Sequence, residues 1–88
     1  MVDKKQRILI VDDEHNTREA MARFLKLRFD VETAADGEAA IELLRNHNYD
    51  LVLTDLRMPN ADGMSVLEAT RSKADQPLCI LLSAYGSI

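Results

Sequence analysis

Residues 49–63 read YDLVLTDLRMPNADG, and the way this stretch is read decides the fold. A short apolar run of Leu51, Val52 and Leu53 carries Asp55 at its end, Pro59 marks a turn, and Asp62-Gly63 opens the next helical pattern. An unbroken hydrophobic run of this kind suits a strand covered on both faces, the habit of parallel sheets. In open parallel sheets, ligands gather in the crevice outside the carboxyl ends of the strands. Asp55 belongs at that edge. Taken alone, a strand-end aspartate is common in solvated turns, so its weight depends on what the neighbouring strands bring to the same place.

Upstream, residues 8–11 (ILIV) form a β-branched run suited to a central strand, and they end in Asp12, Asp13 and Glu14. Asn16 or Thr17 is placed to cap the helix that follows, with Glu19 in its first turn and Ala20, Met21, Phe24 and Leu25 as one apolar face. Residues 29–34 read as a second strand in which Val31 and Thr33 alternate with Glu32, which suits an edge. Asp36-Gly37 is a turn signal. A second helix then runs to about His47 with Ala40, Ile41, Leu43 and Leu44 as its buried side, and Asn46 and Asn48 stop it. Downstream of the opening stretch, Asp62 is placed to cap a third helix through Met64, Val66, Leu67 and Ala69 to about Arg71. A polar connection over residues 73–77 leads to a fourth apolar strand at Leu78–Leu82, ending at Ser83-Ala84. Strands alternating with helices predict an α/β domain over residues 1–88, with a parallel sheet, right-handed crossovers and helices on both faces.

Composition narrows the function. A net charge of −4 lacks the clustered cations of a nucleic-acid surface, and Lys4, Lys5 and Arg7 read as a solvated terminus. No apolar run approaches the length of a membrane span, and the charged start leading into a strand does not resemble a signal peptide. The single cysteine, Cys79, lies in an apolar run and reads as a small buried hydrophobe of a reducing, cytoplasmic compartment. Met21, Met58 and Met64 read as core or turn fillers, His47 as a last-turn residue, and Glu14 as a helix-entry acid.

The chemistry lies in what the parallel topology gathers. The ends of strands one, three and four would bring Asp12 and Asp13, Asp55, and Ser83 to one pocket. Carboxylates converging without a basic partner repel each other and either raise their proton affinity or recruit a cation. One or two carboxylates, a main-chain carbonyl and waters describe a Mg²⁺ site. Mg²⁺ beside an exposed carboxylate invites attack of that carboxylate on a phosphoryl group, giving an acyl phosphate. His15, near the pocket, reads as a surface residue.

The stretches ILIVDDE at 8–14, DLVLTDLRMP at 50–59, Asp62-Gly63 and LLSA at 81–84 resemble the receiver domain of two-component response regulators, with compatible spacing along nearly the whole chain. The closing SAYGSI is similar to receivers of σ54-dependent, NtrC-type activators. The resemblance implies a flavodoxin-like (CheY-like) doubly wound sheet of strand order 2-1-3-4. It implies Asp55 as phosphoacceptor, Mg²⁺ held by Asp12, Asp13, Asp55 and the main-chain carbonyl of Arg57, Ser83 as switch hydroxyl, and Ala84 as the small residue beside the phosphoryl group. It also implies a histidine kinase as phosphodonor, an effector domain in a longer parent protein, and a signalling module rather than an enzyme.

The family pattern continues into a fifth strand bearing a lysine that pairs with the phosphoryl group. Lys4, Lys5, Lys26 and Lys73 do not take that place, so the expectation is a receiver truncated after its fourth strand, with its phosphorylation and dephosphorylation chemistry impaired. The bare apolar fourth strand is a pairing liability and predicts a homodimer through Leu78–Leu82. The alternative function is therefore a non-phosphorylatable dimerisation fragment. An aspartyl phosphatase would need a second acid two residues beyond its nucleophile, where Arg57 stands.

Overall fold

The computed structural model describes residues 5–58 and 62–82. The order is β1 (Arg7–Val11), α1 (His15–Leu25), β2 (Asp30–Ala34), α2 (Gly37–Asn46), β3 (Leu51–Asp55), α3 (Gly63–Arg71) and β4 (Leu78–Leu82). The four strands are parallel and lie in the order β2-β1-β3-β4. The expected α/β architecture and strand order are therefore present. Since β2 and β3 flank β1 on opposite sides, the order of strand placement reverses between β1 and β3. The crevice of a doubly wound sheet opens at such a reversal.

Alternation along β1 divides the interior in two. Leu9 and Val11 point to one face, where Ala40 and Leu44 of α2, Tyr49, Val52 and Val66 of α3 close a dry core. Ile8 and Ile10 point to the other, against Ala22 of α1 with Met21 and Leu25 packed beside it. On that second face the cover thins across the sheet, because α1 packs on β1 and β2. Ile10 is fully buried, its neighbour in register Leu53 is half-buried, and Ile80 beyond it is 41% exposed. The strand read from residues 49–63 is thus fully covered on one face and partly covered on the other.

Helix starts follow capping chemistry. Asp36 and Asp62 cap α2 and α3, accepting the main-chain N–H of Ala39 at 2.8 Å and of Ser65 at 3.1 Å. The first helix differs from the expectation. Its cap is Glu14, whose carboxylate accepts the Thr17 N–H at 2.8 Å, and neither Asn16 nor Thr17 caps it. Its inward face is shifted too: Met21, Ala22 and Leu25 face the sheet, while Ala20 and Phe24 are exposed. Met64 is likewise exposed, at the outer side of α3, whereas Met58 packs against the main core.

Arg7 is not a solvated terminus. In register opposite Asp30, it pairs with Asp30 at 3.5 Å and Glu32 at 3.3 Å and lies over the Tyr49 ring. Among the described residues, no helix is long and apolar enough to cross a membrane.

Candidate functional site: an acidic pocket at the β1–β3 switch point

The first acid arrives on the shortest tether. Asp12 follows β1 directly, is 7% exposed, and is held by its own main chain, whose N–H donates to the Ala34 carbonyl at 3.2 Å. Its carboxylate oxygen Oδ1 accepts the Glu14 N–H at 2.9 Å. Asp13 is exposed beside it. Glu14 turns away to cap α1, and its carboxyl lies below the ordinary value chiefly through the Thr17 N–H. Reading Glu14 as a helix-entry acid agrees with this geometry.

Asp55, the last residue of β3, is half-buried. Its Oδ1 accepts the Arg57 N–H at 3.2 Å, which turns the chain after the strand. The chain then returns over the strand end, with the Gly63 N–H donating to the Leu56 carbonyl at 3.1 Å. This return requires a glycine. A Cβ at position 63 would lie 2.5 Å from the Asp55 carbonyl oxygen and 2.9 Å from Leu56 Cα, both main-chain atoms that cannot swing aside.

The result is convergence. One carboxylate oxygen each from Asp12, Asp13 and Asp55 lies within 4.8 Å of the others. Burial raises the Asp12 carboxyl above its ordinary value; the Glu14 N–H opposes this, and the Asp55 and Asp13 charges add to it. Oxygen donors at this mutual spacing suit a hard divalent cation such as Mg²⁺, which takes one or two carboxylates and keeps waters. The donor set therefore fits the ion that the sequence points to. Ser83, Ala84 and Pro59 lie outside the described residues.

A further residue joins the site that the reading of the sequence missed. Arg18, in the first turns of α1, reaches back to the Asp12 carbonyl with Nη1 at 2.8 Å. Its other nitrogen, Nη2, lies 3.1 Å from His15 Nδ1. The pocket thus has a basic neighbour, engaged with main chain instead of a carboxylate. The available signal was an arginine one turn inside the helix that follows the acids.

A sequence profile described as the response regulator receiver domain matches residues 8–88. The chain belongs to that family. This receiver is 37% identical over 86 residues to a probable transcriptional regulator, ycf27, of Cyanidium caldarium, an alignment covering 97% of this chain and 34% of that protein. It is 39% identical to the response regulator MprA of Mycobacterium sp. strain KMS, covering 93% of this chain and 36% of that one. The receiver therefore spans about a third of the length of these curated relatives. Among solved structures, it superposes on the response regulator TrrA of Thermotoga maritima, in complex with Mg²⁺ and BeF, with a TM-score of 0.83 and 40% identity over 92% of this chain and 71% of that chain.

Proposed function

We propose that residues 1–88 form a phosphoacceptor module of a two-component phosphorelay, in which Asp55 receives a phosphoryl group from a histidine kinase. The observation that carries this reading is the convergence of Asp12, Asp13 and Asp55 oxygens within 4.8 Å on a chain of the receiver family. In the reaction, a carboxylate oxygen of Asp55 forms a bond to phosphorus as the phosphorus–nitrogen bond to the donor imidazole breaks, and that nitrogen retains the electron pair. Asp12, Asp13 and the main-chain carbonyl of Arg57 join Asp55 in holding Mg²⁺. The ion, when bound, offsets the negative charge on the phosphoryl oxygens. The turn at Arg57 fixes one Asp55 oxygen and leaves the other to attack. Ser83 supplies a hydroxyl to the bound phosphoryl group, and Ala84 keeps the space beside it open.

The partners follow from the same reading. They are a cytoplasmic histidine kinase as donor and, in keeping with relatives described as transcriptional regulators, an effector domain in a longer parent protein. The chain itself binds neither nucleic acid nor membrane. The test is incubation with Mg²⁺ and acetyl phosphate followed by intact mass measurement. One phosphoryl adduct is expected, absent in Asp55→Asn and after chelation. An adduct that persists in Asp55→Asn sinks the proposal.

One observation favours a second reading, a dimerisation module. Leu78 is 66% and Ile80 41% exposed on β4, which pairs only with β3 among the described residues. Packing this row against a second copy would bury it, at roughly 1.5–3 kcal/mol per large aliphatic side chain fully covered. A light-scattering dilution series that finds a folded monomer at every concentration excludes it.

A further inference from the structure

The β1–α1 turn poses a main-chain problem that one side chain solves. β1 ends at Val11, so the Asp12 carbonyl lies past the last strand residue, on a residue that is itself buried. A carbonyl in this position needs a donor. Arg18 supplies it at 2.8 Å, with its second nitrogen on His15 at 3.1 Å, so one half-buried fork spans the turn from α1. Asp12 is then held at its N–H by Ala34, at its side chain by the Glu14 N–H, and at its carbonyl by Arg18. The arginine takes up no carboxylate oxygen, so those of Asp12 and Asp13 stay available to a cation.

The geometry points to Arg18 as a positioning residue for the Mg²⁺ site: by bonding the Asp12 carbonyl it fixes the turn that presents the Asp12 and Asp13 carboxylates. This rests on the phosphoacceptor reading above. Groups behind a metal's ligands commonly change affinity by about ten- to a hundredfold when removed. Arg18 acts through main chain, so the low end, about tenfold, is expected. Lysine keeps the charge, but its three donors share one nitrogen and do not reproduce the two-nitrogen fork that spans the carbonyl and His15.

The test is a Mg²⁺ titration of wild type, Arg18→Met and Arg18→Lys, followed by amide chemical shifts, with the shifts of β2 and β4 reporting an intact sheet. Both variants should need about tenfold more Mg²⁺ for half-saturation. Their phosphorylation by acetyl phosphate should return to the wild-type level at saturating Mg²⁺, a split that general loss of structure would not give. If Arg18 acted only by its charge, the lysine variant would match wild type and the methionine variant would bind Mg²⁺ as well or better. Either result overturns the inference, and the lysine variant decides alone if the methionine variant does not fold. A wild type that shows no Mg²⁺ saturation overturns the phosphoacceptor reading along with it, whereas normal wild-type binding with unchanged variants overturns Arg18 alone.

Discussion

The two ends of this sheet treat carboxylates in opposite ways. At the amino end, Glu32 is clamped between the Arg7 guanidinium and the Tyr49 hydroxyl, while Arg7 also pairs with Asp30 and its N–H donates to Asp50 at 2.8 Å. Lys73 closes the same end by donating to the carbonyls of Leu44 and His47 at the C-terminus of α2. At the carboxyl end, Asp12, Asp13 and Asp55 face one another, and the nearby guanidinium is spent on a main-chain carbonyl. A fold that compensates acids at one end and leaves them facing at the other has an excess negative charge in one place. An end with matched partners is a structural joint. An end whose acids face one another without a basic partner among the described residues is, on the phosphoacceptor reading, where a cation would be held.

The largest test of this contrast removes the close approach that shapes the acidic end. Gly63→Ala forces a Cβ into the Asp55 carbonyl and Leu56 Cα. It should destabilise the domain by about 1–3 kcal/mol, the usual cost of overpacking. Urea unfolding measures the loss, and Mg²⁺ titration should show weaker binding because the strand end bearing Asp55 moves. A variant with wild-type stability and Mg²⁺ affinity would show that α3 can retreat without disturbing the pocket.

The amino end should answer differently. Tyr49→Phe keeps the buried ring under Arg7 but takes the hydroxyl from Glu32. Burial and the Glu32 bond both push the Tyr49 phenol well above its ordinary value, so the hydroxyl is a committed donor throughout the neutral range. Its loss should cost about 1.5 kcal/mol, the low end for a bond to a charged group because Glu32 is partly solvated. Mg²⁺ affinity should not change. A Tyr49→Phe variant with altered Mg²⁺ binding would couple the two ends and break the contrast.

How much of this could be read from the sequence depended on the kind of interaction. Three strands announce themselves as apolar runs and β2 as an alternating one; Asp62 announces itself as a cap, while Asp36, legible as a turn residue, proves to cap α2 as well. Asp12, Asp13 and Asp55 could be brought together on paper because parallel topology sends the strand ends to one edge. The first helix was harder. Its inward face shifted by one residue at Ala22, leaving Phe24 73% exposed, because apolar residues are present on more than one side of the helix. Arg7 and Arg18 were the least legible. Arg7 acts through ion pairs with residues distant in the chain, and Arg18 through a main-chain oxygen six residues back, and neither contact shows as a hydrophobic period.

The smallest effect concerns the charge left over in the pocket. The Asp12 carboxyl has a folded value raised above its ordinary 3.8, first by burial and then by its acidic neighbours. Between those two values the unfolded chain gives up the Asp12 proton while the folded chain keeps it. Stability therefore falls as pH rises through that window and stays lower above it. Asp12→Asn retains the oxygen that accepts the Glu14 N–H and removes the charge. In chelator at neutral pH the variant should unfold at a slightly higher temperature than wild type, with the difference vanishing below the ordinary carboxyl range. Mg²⁺ should reverse the ranking, since a ligand at a hundredfold its dissociation constant stabilises by about 2.7 kcal/mol and Asp12→Asn weakens that ligand. Should the variant be no more stable than wild type in chelator, Asp12 is not carrying excess charge, and the acidic end is compensated as fully as the other.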